Sequence, residues 1–136
     1  MTTSTAAAQH GPVSTHILDT SIGRPAEGVA VRLAARSGRD ADWQALGGST
    51  TDADGRCKDL PALPEGTTHV RLDFAVEPYF EKNRADVRQD ASAHRDSDTA
   101  AAFFPEVTVT FAVAAGEHHH VPLLLNPFGY SVYRGS

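Results

Sequence analysis

A single cysteine, Cys57, stands in a chain of 136 residues, which excludes an internal disulfide framework and any multi-cysteine metal site. That composition suits a reducing compartment. Lys and Arg number 12 against 17 Asp and Glu, giving a net charge of -5, so there is no basic footprint for nucleic acid. An anionic ligand would have to be met by local positive charge. No apolar run approaches the roughly 20 residues that span a bilayer, so no membrane anchor is expected. The stretch from Met1 to Val13 is rich in Ala, Thr and Ser, with neither a basic nor a hydrophobic block. It does not read as a secretory signal, and a cytoplasmic protein is the default expectation. Also missing are a Gly-x-Ser-x-Gly elbow, a P-loop and a Gly-x-Gly-x-x-Gly fingerprint.

What remains is ordinary for a soluble globular chain: 40% hydrophobic and 21% charged residues. Residues 1–13 read as a disordered tail, and 14–136 as one domain without internal repeats. Ser14–Asp19 is a short strand closed by the Gly23-Arg24-Pro25 turn. From Gly28 to Arg36, Val29, Val31 and Leu33 alternate with smaller or polar residues, the period of a strand with one buried face. A strand is expected from Trp43 to about Leu46. Gly47-Gly48 and Asp52-Ala53-Asp54-Gly55 read as turns, with Arg56 directly after and Cys57 half-buried. Val70, Leu72, Phe74 and Val76 share one face of a strand over Thr67–Val76, and a short helix is expected over Glu77–Gln89. Residues 90–102 read as a polar loop. Strands follow at Val107–Val113, His118–Leu125 and Tyr130–Arg134. Seven or eight short strands with one short helix predict an all-β antiparallel sandwich.

Three features could carry chemistry. In the triplet His118-His119-His120, His118 and His120 share one face of a strand while His119 points to the other. Zinc needs three or four convergent ligands, so the triplet would need His16, His69 or an acidic residue to complete a site. Solvated histidines without a role are the plainer reading. His16 lies within a strand, where a lone histidine is commonly structural. Arg56 follows a tight turn and is either solvated or held for bidentate anion binding.

The segment Ser14-Thr15-His16-Ile17-Leu18-Asp19-Thr20, followed by Gly23-Arg24-Pro25-Ala26 and Gly28-Val29, resembles the opening of the transthyretin-like family. The ending Tyr130-Ser131-Val132-Tyr133-Arg134-Gly135-Ser136 is more specific. A closing Tyr-Arg-Gly-Ser is similar to that of the 5-hydroxyisourate hydrolases and sets them apart from the hormone carrier transthyretin. The Asp54-Gly55-Arg56 turn, Phe103-Phe104-Pro105-Glu106-Val107 and His120-Val121-Pro122-Leu123-Leu124-Leu125 match in the same order. The resemblance covers residues 14–136. The chain departs from the pattern at Asn126, at Val132 and in a longer loop over about 83–102.

This resemblance implies a transthyretin-like (prealbumin-like) sandwich of two four-stranded sheets with one short helix. It further implies a homotetramer, a dimer of dimers, with active sites in the channel between dimers. The implied reaction of purine catabolism is hydrolysis of 5-hydroxyisourate to 2-oxo-4-hydroxy-4-carboxy-5-ureidoimidazoline, a cyclic amide opening in urate degradation. His16, Arg56, His120 and Ser136 are the catalytic positions it implies. His16 and Arg56 also bind substrate, with Tyr133, Arg134 and Gly135. His118 matches a histidine that stands behind these groups. No metal and no organic cofactor are implied, and the small-molecule substrate is the only ligand. Within the same fold the rival reading is a carrier for an aromatic or hormone ligand, which has no need of this polar set. A zinc hydrolase and an inert structural protein are two lesser rivals.

Overall fold

The computed structural model describes residues 12–88 and 102–136. The expected tail falls on residues that mostly lie outside the description. Val13, assigned to that tail by its sequence, is instead the fully buried first residue of a strand.

Two sheets pack face to face. The first contains β1 (Val13–Asp19), β2 (Arg24–Pro25), β5 (Arg56–Cys57), β8 (His119–Asn126) and β9 (Gly129–Val132), in the order β2-β1-β8-β9 with β5 also on β1. The second is β4-β3-β6-β7, built from β4 (Gln44–Thr50), β3 (Ala30–Arg36), β6 (His69–Ala75) and β7 (Glu106–Ala112). The expected two-sheet sandwich is present, with a single helix among the described residues and two corrections. The two-residue strands β2 and β5 make one sheet five-stranded. The β1–β8 pair runs parallel, from Val13 beside His119 to Asp19 beside Leu125. Antiparallel direction is enforced by hairpins, and nearly the whole chain separates β1 from β8, so nothing local imposes it here.

Alternation explains the core. Val13, Ile17, Val121, Leu123 and Leu125 from the first sheet meet Val31, Leu33, Val70, Leu72, Phe74 and Val107 from the second. Each large apolar side chain so buried contributes about 1.5–3 kcal/mol. The residues between them, including Ser14, His16, His120 and Leu124, fall on the outer face of the first sheet and are only half-buried.

β4 runs four residues further than its sequence suggests, straight through Gly47-Gly48. A β-carbon on Gly48 would sit 2.5 Å from the Val31 carbonyl oxygen, and the register slips between Leu33 and Ala34. The glycines therefore serve a bulge within the strand pair rather than a turn. Helix α1 (Val76–Arg88) buries Val76, Tyr79 and Phe80, one face at spacings of three and four. Its first two amides donate to the Pro105 carbonyl at 3.0 and 2.9 Å. Tyr79 donates from its hydroxyl to Asp19 Oδ2 at 2.7 Å, tying the helix to the end of β1. Most of the loop expected over 90–102 lies outside the described residues. At its far end, Ala102 is buried. Among the described residues no helix is long and apolar enough to cross a membrane.

Candidate active site

The outer face of the first sheet gathers the charged and titratable candidates by register alone. In β1, Ser14 lies beside His120, and His16 lies between Pro122 of β8 and Arg56 of β5. The turn before β5 places Arg56. Asp52 Oδ1 accepts hydrogen bonds from the Asp54 and Arg56 amides at 2.9 and 3.0 Å. Gly55, at φ 77°, donates its amide to the Asp52 carbonyl at 2.8 Å. The Gly55 carbonyl accepts from the Ile17 amide at 2.8 Å. The turn is thus clipped to β1, and Arg56 emerges beside His16 with its side chain exposed. The amide bond from Arg56, ahead of the others, holds the Asp52 carboxyl below the usual carboxylate range.

His120 is the most constrained imidazole of the set. Its Nδ1 lies 2.8 Å from Ser14 Oγ, and the same hydroxyl lies 3.1 Å from Nε2 of the exposed His118. Gly135 bridges to His120 along the backbone, donating its amide to the His120 carbonyl at 2.7 Å. Partial burial, then the charges of Arg56, His118 and His16, push the His120 imidazole below its ordinary 6.5. The free energy of that site favours a neutral ring at neutral pH, the form able to take a proton.

His119 takes the opposite face, as alternation requires, in phase with Val121 and Leu123. It is buried at 5% exposure and accepts the Ala114 amide on Nε2 at 3.3 Å, while its Nδ1 has no partner. Burial is again the first cause that lowers its pKa, followed by the charge of Arg134. An apolar cavity of about 230 Å³ opens there between the sheets, lined by Phe111, His119, Val121 and the Val132-Tyr133-Arg134 segment.

The closing tetrapeptide therefore divides. Gly135 meets His120, but Tyr133 and Arg134 line the cavity beside His119, with Arg134 bonded to Glu117 Oε1 at 3.3 Å. Ser136 is exposed one residue beyond Gly135. His16, Arg56 and His120 come together with Ser14 and His118. Ser14 lies in the opening motif yet gave no sign of its own, since only the parallel register with β8 brings it to two imidazoles. His69 belongs to the other sheet, where its Nδ1 lies 2.7 Å from Thr68 Oγ1, so it cannot complete a site with the triplet. Among the described residues no three His, Cys, Asp or Glu side chains converge as a metal would require. Cys57 is more deeply buried than expected, and desolvation pushes its thiol up to about 11.

Comparison with known proteins gives the lineage of the chain. The model of the HIUase/Transthyretin family matches residues 13–135. A 5-hydroxyisourate hydrolase from Caulobacter vibrioides is 40% identical over 125 residues, covering 91% of this chain and 97% of that protein. The structure of Klebsiella pneumoniae 5-hydroxyisourate hydrolase superposes with a TM-score of 0.68 at 31% identity, covering 91% of this chain and 98% of that one. Sea bream transthyretin, solved in complex with thyroxine, superposes with a TM-score of 0.71 at 24% identity, covering 91% and 94%. That last likeness is one of fold.

Proposed function

The chain belongs to the HIUase/Transthyretin family, and on that premise we propose that it is a 5-hydroxyisourate hydrolase of urate degradation whose chemistry runs on the outer face of the first sheet. Its relatives at about this distance carry that name. The observation that carries the reading to particular residues is the setting of His120. It is a half-buried imidazole kept neutral, fixed at Nδ1, and within electrostatic reach of both Arg56 and His16.

The reaction opens the N1–C6 lactam of 5-hydroxyisourate and yields 2-oxo-4-hydroxy-4-carboxy-5-ureidoimidazoline. Water is deprotonated by His120, assisted by His16, and adds to the C6 carbonyl carbon. A neutral imidazole placed for this task contributes about 10²–10⁴-fold. Arg56 holds the anionic substrate and balances charge developing on the carbonyl oxygen through charge-assisted hydrogen bonds. The imidazolium then returns its proton to N1 as the C–N bond breaks. Gly135 and Ser136 border the reacting groups, with Tyr133 and Arg134 beside them in the chain. No step calls on a metal or an organic cofactor.

The assembly we carry forward is a homotetramer, a dimer of dimers, with this face lining the channel between dimers. Uncovered apolar surface supports association. Phe103, Phe104 and Tyr130 form an edge-to-face aromatic cluster with centroid spacings of 4.8 and 5.3 Å, and Phe103 and Phe128 are 71% and 82% exposed. The compartment we assign is the cytoplasm.

The test generates 5-hydroxyisourate in place from urate with urate oxidase and follows its ultraviolet absorbance. Decay well above the spontaneous rate, unchanged by EDTA, is the expected result. A folded protein that leaves the decay rate unchanged would sink the proposal and favour a carrier.

A further inference from the structure

We propose that Ser14 and His118 form a proton exit for His120, a short relay that carries to solvent the proton each turnover releases. The inference rests on the hydrolase reading above. Opening a lactam with water produces a carboxylic acid, which ionises near pH 4 and is a carboxylate at neutral pH. One proton per cycle must therefore leave a site already crowded with His16, Arg56 and His118.

The geometry offers a path. Ser14 Oγ lies 2.8 Å from His120 Nδ1 and 3.1 Å from His118 Nε2. A hydroxyl has a single hydrogen, so it can donate to only one of the two rings and must accept from the other. When His120 Nδ1–H donates to Ser14 and Ser14 donates to His118, the Nε2 lone pair of His120 is open for water. When the direction reverses, His120 carries its proton on Nε2. Once His120 is protonated on Nε2, the first arrangement passes to the second by moving one proton from His120 Nδ1 to Ser14 as another moves from Ser14 to His118 Nε2, with loss of the His118 Nδ1 proton.

The cycle balances. The product's acid proton reaches His120 Nε2 and makes an imidazolium. Its Nδ1–H passes to Ser14 Oγ while the Ser14 hydroxyl proton passes to His118 Nε2. His118, which is exposed, then gives up its Nδ1 proton to bulk water. The proton is thus discharged while product still covers Nε2. After product leaves, water takes the Nε2 proton of His120 and another protonates His118 Nδ1. The Ser14 proton returns to His120 Nδ1 and the His118 Nε2 proton to Ser14, so that the chain resets with one proton lost per cycle. The groups facing the relay are His16 on β1 and Arg56 on β5. On the opposite face of β8 lies His119, with Glu117 and Arg134 beside it. A proton held on His120 is disfavoured first by burial and then by the charge of Arg56, and His118 at the other end of the relay is exposed.

Ser14 faces away from the core and is only half-buried, so Ser14→Ala keeps the fold. It should lose about 10- to 100-fold in kcat with little change in KM. Its proton inventory in mixed H₂O and D₂O should become linear where the wild type is curved. Ser14→Thr, which keeps the hydroxyl, should recover most of the loss. His118→Gln keeps a hydrogen-bonding partner but no titrating one, and added imidazole buffer should restore its kcat. Nitrogen-15 NMR of the full-length protein without substrate gives an independent reading. Ser14→Ala should change the Nδ1/Nε2 proton distribution of His120 and uncouple its titration from that of His118. Unchanged tautomers together with wild-type kcat in Ser14→Ala would overturn the relay. A wild-type protein that never accelerates substrate decay would instead overturn the hydrolase reading, and the NMR titration would still decide the coupling.

Discussion

Gly135 lies against the imidazole of His120 with no room for a side chain between them. A β-carbon built on Gly135 would come within 2.6 Å of His120 Cδ2 and within 3.0 Å of Pro122 Cγ. Gly135→Ala must therefore displace either the tail or the ring. Neither is in the interior, so the thermal midpoint should move by no more than about 3 °C. Turnover should fall about 10- to 100-fold, because a displacement near 1 Å at a reacting group costs that much. Steady-state kinetics beside a melting curve checks both. Full activity in Gly135→Ala would remove the tail from the site.

The turn that delivers Arg56 depends on a second glycine for a different reason. A β-carbon on Gly55 would lie 2.4 Å from the backbone oxygen of Ile17, at a φ of 77°. Gly23 has a similar φ of 67° with nothing within 4 Å. Gly23→Ala should cost about 1 kcal/mol, the conformational strain alone. Gly55→Ala adds a clash with backbone that cannot rotate away, and should cost about 3 kcal/mol or more. Urea denaturation of the two variants separates strain from collision. Equal costs would show that the turn can lift from β1.

Tyr79 and Asp19 fasten α1 to β1 through a buried hydrogen bond of 2.7 Å. Asp19 Oδ1 is also held by the Ser21 amide at 2.9 Å, so Tyr79→Phe removes one of several partners and should cost about 1–2 kcal/mol. Asp19→Ala leaves the Tyr79 hydroxyl buried without an acceptor and should cost more, about 2–4 kcal/mol. Burial, with the Asp19 contact adding to it, raises the Tyr79 pKa, so the phenol stays neutral at any working pH. Denaturant midpoints of the two variants rank the effects, and the reverse ranking would place the stabilisation elsewhere.

Much of this was legible before folding was considered. Val70, Leu72 and Phe74 announce β6 by a period of two, and the same period puts His118 and His120 on one face with His119 on the other. The Asp52–Gly55 turn with Arg56 behind it could be read from turn chemistry. The parallel β1–β8 pairing could not, because its two members are about a hundred residues apart and no local signal fixes their direction. Everything that depends on that register was hidden with it, including Ser14 bridging two imidazoles. Gly47-Gly48 misled for a related reason: glycine marks close backbone approach as well as turns, and only the neighbour, Val31, tells which.

The two depressed histidines give the protein an acid-sensitive fold as well as an acid-sensitive site. His119 and His120 both have folded pKa values below the ordinary 6.5, with desolvation the leading cause for each. In the unfolded chain they titrate near 6.5, so between that value and their folded values unfolding takes up protons. Stability must then rise with pH across that window. The contribution is complete above about 6.5 and is lost as pH falls through the window. Asp52, whose carboxyl is held down, acts in a separate window, its contribution present above about 3.8 and lost below it. Urea midpoints should be level from about pH 8 to 7 and fall from about 6.5 downward. His119→Phe keeps an aromatic ring in the cavity without a titrating nitrogen, and should flatten part of that fall. Activity should hold to a lower pH than an unperturbed imidazole allows, since His120 remains a neutral base below about 6.5. A midpoint that drops equally in wild type and His119→Phe would assign the acid sensitivity to other groups.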